Sequence, residues 1–312
     1  MSARKTIVDQ AITFQHPSRV PVWVDGDKLK YSDILTYDLS MAQKENSHLS
    51  EWGFRRFKTV SGDWGVPPEP FLAEWSQVDA YQAPPTDVVR RLSGIAKAAT
   101  VCEDRYRIAS YGLSGYSIYA ALRGAELSAV DFLVETDRFV ELMERIFEFE
   151  CEFFDLLARK GFHAVEFCDD WGERRTSKIT LSLWRCLFKQ FYAQVFKRAK
   201  ASGLHIWFST SAQCEEFFGD LDEIGVDVVR VEAPYAMEIA KMGRQLRGKL
   251  CFAVRLDELL ENSGGDEQEV VKHLYECLGG EEGGFIATVA GTVPDGKIRQ
   301  VSEIVKKLTP KK

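Results

Sequence analysis

Through the carboxyl-terminal two thirds of this 312-residue chain, short apolar runs alternate with longer amphipathic stretches, and that alternation restricts the fold more than any other feature. Residues 106–111, 163–167, 204–208, 226–231, 250–254 and 284–289 read as strands, rich in β-branched and aromatic side chains. Between them lie helical patterns. In 137–160, Phe139, Met143, Ile146, Phe149, Phe153 and Leu156 recur every three or four residues until Gly161 stops the run. A second helix covers 183–201 and ends before Gly203, and 215–224, 235–246, 267–277 and 296–308 complete the series. Parallel strands need crossover connections, so this order predicts a parallel sheet flanked by helices. An open doubly wound sheet and a closed barrel both fit. The first strand is followed by no glycine-rich phosphate fingerprint, which favours the (β/α)8 barrel.

The amino-terminal third is less regular. Ile7, Val8, Ala11 and Ile12 share one face of a helix over 4–14, which His16 and Pro17 end. Residues 20–24 form a first strand, closed by the turn chemistry of Asp25, Gly26 and Asp27. Residues 30–100 show little period and carry Trp52-Gly53, Asp63-Trp64-Gly65 and two Pro-Pro pairs. They read as an irregular insertion capping one end of a single domain that spans 1–312.

Composition removes several function classes. A net charge of −7 with no basic stripe speaks against nucleic-acid binding. No apolar run approaches the ~18 residues of a membrane helix, and the start Met-Ser-Ala-Arg-Lys lacks a signal-peptide core. The seven cysteines are odd in number and scattered, which suits a reduced cytoplasm better than a disulfide framework.

Several motifs occur in a telling order. Arg19-Val20-Pro21-Val22 opens the chain's first strand. Asp169-Asp170-Trp171-Gly172 is followed by Leu183-Trp184-Arg185 and Phe188-Lys189, then by Gly203-Leu204-His205-Ile206-Trp207-Phe208. Ile224-Gly225-Val226-Asp227-Val228, Pro234-Tyr235-Ala236-Met237 and a strand running to Asp257 complete the set. Together these resemble the uroporphyrinogen decarboxylase superfamily over nearly the whole chain. The resemblance implies a (β/α)8 barrel and two activities: porphyrinogen decarboxylation and corrinoid-linked methyl transfer.

The departures from that pattern are chemical. The methyltransferase branch follows the strand ending at Phe208 with His-x-Cys-Gly, two zinc ligands that activate a thiol. Here Ser209-Thr210-Ser211-Ala212 stands in that place, and hydroxyls are poor zinc ligands. Thr288-Val289-Ala290-Gly291-Thr292 holds no cysteine where the family's last ligand falls; Cys214, three residues beyond Ser211, is the one candidate substitute. The expected metal set is therefore none. In the decarboxylase branch, arginines that clamp substrate carboxylates are replaced here by Gly26 and Lys30, so the bidentate forks are gone. An octa-acid porphyrinogen would meet Asp25 and Asp27 instead.

Candidate residues cluster at strand ends, where barrels of this kind carry their chemistry. Asp169, Asp170, Asp257 and Glu232 are the expected catalytic groups, as acid, base or orienting carboxylates; a turn-capping role is the plain alternative for the Asp pair. Trp171, Arg174, Trp207, Ser209, Ser211, Tyr235, Arg255 and Asp25 are the expected substrate-binding groups. Trp207 and Arg174 equally suit packing and a solvated loop. Glu166, Arg230 and Glu232 alternate on one face and suit an ionic layer. His205 begins its strand and reads as structural, and Cys168 as a buried thiol.

The leading expectation is a zinc-independent, corrinoid-linked methyltransferase-type enzyme acting on a small substrate. It would hold no tightly bound cofactor and would meet its corrinoid on a partner protein. Two alternatives stand beside it: a uroporphyrinogen decarboxylase with an altered clamp, and a non-catalytic protein that holds a tetrapyrrole or a corrinoid protein. Pairing of the chain with itself as a homodimer is left open.

Overall fold

The computed structural model describes residues 3–308, except 27, 41–48, 56, 59–63, 66–68, 102, 174–175, 178, 211–213, 233–237 and 263. Helix α1 (Ala3–Ile12) leads into strand β1 (Val22–Val24), and a short 3-10 turn, Leu29–Tyr31, connects that to β2 (Ile34–Asp38). The hairpin β3 (Phe57–Lys58) and β4 (Trp64–Gly65) follows, then α2 (Trp75–Ala80) and α3 (Val89–Thr100). Next come β5 (Tyr106–Ser110), α4 (Gly115–Val134), α5 (Thr136–Cys151), α6 (Phe154–Arg159) and β6 (Ala164–Cys168). A second hairpin, β7 (Gly172–Glu173) and β8 (Thr176–Ser177), precedes α7 (Leu181–Leu187), α8 (Lys189–Ala201) and β9 (His205–Thr210). The chain ends with α9 (Phe218–Glu223), β10 (Val228–Val231), α10 (Ile239–Leu246), β11 (Cys251–Arg255), α11 (Leu256–Asn262), α12 (Glu267–Leu278), β12 (Phe285–Val289) and α13 (Asp295–Leu308).

Eight of these strands form one parallel sheet in the order β1-β12-β11-β10-β9-β6-β5-β2, a (β/α)8 barrel with its helices outside. Closure between β1 and β2 uses side chains where a ladder would run. The Asp33 amide donates to the Val22 carbonyl at 2.7 Å. In return the Val22 amide donates to the Asp33 carboxylate (2.9 Å) and the Val24 amide to the Ser32 hydroxyl (3.0 Å). Arg19 grips Asp33 with both guanidinium arms at 2.7 and 2.6 Å.

The strands' inner face is apolar at the amino-terminal end. Trp23, Ile34, Tyr106, Ile108, Trp207 and Val228 pack there, with Val8, Ala11 and Ile12 of α1 closing the barrel floor. The expected apolar face of α1 is the face that is buried. Each fully buried large apolar side chain contributes about 1.5–3 kcal/mol.

Three expectations need correction. The barrel's second strand, Ile34–Asp38, lies inside the stretch read as irregular. It follows β1 without a crossover helix, so the usual strand–helix rhythm is absent there. Helix α4 went unrecognised because every residue from Gly115 to Gly124 is buried, which leaves no one-sided stripe. The strand expected to end in Asp257 stops at Arg255, and Asp257 sits in the first turn of α11.

Candidate active site

Toward the carboxyl-terminal ends of the strands the inner face turns polar. Alternation two residues past Trp23, Ala164, Trp207, Val228 and Ala253 brings Asp25, Glu166, Ser209, Arg230 and Arg255 to the same mouth. Arg230 is the hub. Its Nη2 lies 2.5 Å from Asp25 Oδ2, its Nη1 3.3 Å from Glu166 Oε1, and its Nε 2.5 Å from Glu232 Oε1. The guanidinium also stacks 4.1 Å from the ring centre of Trp23. Glu166 takes a further hydrogen bond from the Ser209 hydroxyl at 2.6 Å.

Arg255 extends the network. It donates to Glu232 Oε2 at 2.6 Å and lies 3.2 Å from Asp257 Oδ1. The Ala290 amide, just after β12, also donates to Asp257 at 3.2 Å. Loops after β1, β10, β11 and β12 are thereby tied to one set of charges. Burial opposes the charge on Arg230, but Glu232, Asp25 and Glu166 outweigh it and hold the guanidinium protonated. For Glu232 burial is again outweighed, this time by Arg230 and Arg255, and its carboxyl is held below the usual range. Asp25 behaves differently: burial, reinforced by Glu232 and Glu166, pushes its carboxyl up despite Arg230. The mouth thus sets a Glu232 carboxyl held down beside an Asp25 carboxyl pushed up, an arrangement suited to acid–base work.

Asp169 and Asp170 part company. Asp169 is 2% exposed and accepts hydrogen bonds from the Tyr116, Ser117 and Asp170 amides, the Ser117 hydroxyl and the Tyr192 hydroxyl. It secures the amino terminus of α4 behind the barrel wall, which is the capping use of an Asp. Burial pushes its carboxyl up to about 6 against those donors. Asp170 is half-buried at the end of β6 and accepts from the Thr210 hydroxyl at 2.7 Å.

Both tryptophans are packing residues. Trp171 is 1% exposed, donates to Tyr192 at 3.1 Å and packs on Trp184, Phe208 and Phe217 in the outer layer. Trp207 is fully buried inside the barrel, edge-on to Trp23. His205 sits at the barrel floor against Tyr106, and Cys168 lies 3.7 Å from the Ser110 hydroxyl. Arg174, Ser211 and Tyr235 lie outside the described residues. Sequence reasoning overlooked Thr288, which follows Ile286 on the inner face of β12 and stands level with Arg255 and Trp23. The same two-residue alternation that located Arg230 would have found it.

The donors do not fit zinc. Among the described residues no three His, Cys, Asp or Glu side chains are placed to share a metal ion. Asp25, Glu166 and Glu232 already converge on Arg230, whose charge occupies the centre of the set. Cys214, the substitute ligand considered from sequence, is 1% exposed, bonded to Thr210, and its thiol is pushed up by burial.

No family model matches this chain, and no curated protein matches it. Among solved structures, a methyltransferase from Methanosarcina mazei superposes with a TM-score of 0.69 at 11% identity, covering 98% of this chain and 99% of that one. The two chains therefore share the same barrel fold along their whole length. Phosphonopyruvate hydrolase and 2,3-dimethylmalate lyase overlap at TM-scores of only 0.45 and 0.46, with 10% and 11% identity. They cover 98% and 97% of this chain and 85% of their own, too loosely to bear on the mouth.

Proposed function

We propose that this protein is a methyl-transferring barrel enzyme that works without zinc, moving a methyl group between a corrinoid carried on a partner protein and a small substrate seated in the mouth. The observation that carries the reading is Arg230 at the centre of Asp25, Glu166 and Glu232. A fixed internal cation stands among carboxylates, on a barrel shared end to end with a methyltransferase.

In this reading the acceptor X–H enters beside Asp25. The X–H bonding pair forms the new X–C bond, the X–H proton goes to Asp25, and the donor keeps the pair of the carbon bond that breaks. Glu232, ionised between two arginines, orients the acceptor, and Asp170 and Asp257 hold the rim loops. The proton acceptor takes over the task that a thiol-activating metal performs elsewhere. No observation in the mouth favours a porphyrinogen, whose carboxylates would face Asp25 and Glu232.

The test is a methyl-transfer assay on protein purified in chelator, with methylcobalamin as donor and a panel of small thiols and amines as acceptors. Donor demethylation is read by absorbance and product by mass spectrometry. The expected result is a methylated product whose rate falls in Asp25→Asn. Absence of demethylation with every acceptor, from a folded protein, would overturn the reading.

A further inference from the structure

We propose that the mouth selects a substrate carrying a protonated amine, held between Asp25, Glu232 and the Thr288 hydroxyl. This rests on the reading of the mouth as a substrate site, and it names the chemical class of what enters.

The first ground is the balance of charge. Among the described residues, the carboxylates of Asp25, Glu166, Glu232 and Asp257 share the guanidinium groups of Arg230 and Arg255. Four anions therefore face two cations. The lysines of the loop after β1, Lys28 and Lys30, pair with Asp295 and not with these carboxylates. The depth of each group gives the excess a direction. The side chains of Asp25 and Glu232 are 31% and 26% exposed, while Arg230 and Arg255 lie deeper at 11% and 21%. A molecule descending into the mouth meets acids first, so an anion is repelled and an ammonium is drawn in.

The second ground is independent of charge. Thr288 is 1% exposed, and its hydroxyl oxygen has no hydrogen-bond partner among the described residues. Buried hydroxyls are nearly always bonded, and leaving one unpaired costs about 1–3 kcal/mol. Thr288 stands on the inner face, level with Arg255 on one side and Trp23 on the other. A ligand reaching the inner face at the level of Arg255 would find this oxygen as its acceptor. An ammonium offers three N–H donors, which matches two carboxylates and one hydroxyl.

An ammonium between Asp25 and Glu232 would also favour the ionised form of Asp25, since an opposite charge at contact stabilises the carboxylate. Substrate binding would then oppose the upward push that burial gives the Asp25 carboxyl.

Binding alone tests this, with no turnover required. Saturation-transfer NMR on the intact protein would compare n-butylammonium with butyrate, probes alike in shape and opposite in charge. Butylammonium is expected to bind and butyrate not to bind. Loss of a charge-assisted partner in Glu232→Gln should weaken butylammonium by at least about tenfold, and Thr288→Val, nearly isosteric, by about threefold to tenfold. Equal binding by butyrate, no binding by butylammonium, or unchanged affinity in folded Thr288→Val and Glu232→Gln would each overturn the inference. The wild-type comparison needs no variant to fold. Because no methyl group moves, a negative result here leaves the methyl-transfer assay to stand or fall by itself.

Discussion

Arg230 on β10 reaches Asp25 in the loop after β1 at 2.5 Å, joining residues 205 positions apart in sequence across the barrel mouth. The same guanidinium also pairs with Glu166 and Glu232, so it screens three acids that would otherwise repel one another more strongly. Removing one partner of such a buried set leaves uncompensated charge and costs about 3–5 kcal/mol. Arg230→Met should lose about that much in urea unfolding, with Arg230→Lys intermediate because it keeps the charge but not the fork. A loss below about 1 kcal/mol in Arg230→Met would mean the mouth is far better solvated than the burial implies.

The two adjacent aspartates should separate cleanly. Asp169→Asn is expected to cost about 2 kcal/mol of stability by unpairing the amino terminus of α4 and Tyr192, with substrate affinity kept in the folded fraction. Asp170→Asn should leave the melting temperature nearly unchanged and lower turnover. Intact binding and turnover in Asp170→Asn would show that this residue has no part in the chemistry.

Acid should weaken the barrel floor. His163 accepts the Arg107 amide on Nδ1 at 2.9 Å, and the Tyr106 hydroxyl bonds His205 Nδ1 at 2.7 Å. Burial lowers both imidazoles, His163 from 6.5 down to about 3. Below pH 6.5 the unfolded chain takes up a proton that the folded one refuses, so stability is complete above 6.5 and is lost as pH falls toward 3. Melting temperatures across that range should fall less steeply in His163→Asn, whose side-chain oxygen can still accept the Arg107 amide. Parallel curves would dissociate His163 from the acid limb.

Gly291 offers a way to disturb the site without touching a charge. A methyl group there would run into the Asp25 carbonyl. Gly291→Ala should therefore displace the loop that carries Asp25 and reduce turnover by about tenfold or more, as small displacements of positioned groups do. Turnover equal to wild type would show that the loop yields without moving Asp25.

The barrel was legible because its later strands and helices alternate with plain periodicity, and parallel strands force the crossovers. Ile34–Asp38 escaped because only a 3-10 turn separates it from β1, so no helical period announces a second strand. Within the site, the alternation of Arg230 and Glu232 with Glu166 two strands away anticipated the ionic layer that the structure shows. The Asp169–Asp170 pair could not be resolved from residues alone. Which of two neighbours faces inward depends on a register fixed by pairing with β9, and that pairing lies outside local sequence. Thr288 was missed for a simpler reason: a hydroxyl with no motif around it draws attention only once its neighbours are known.

The seam between β1 and β2 bears on how the molecule is made. β1 is laddered to β12, and it meets β2 through Asp33 and Ser32. As the chain leaves the ribosome, β1 emerges long before its main strand partner, Phe285–Val289. Such long-range pairing carries the largest loop-closure cost and comes late. The mouth depends on the same event, because Asp25 follows directly on β1. A nascent chain released short of β12 would have a sheet, most of its helices and Arg230, yet no anchored Asp25 to meet it.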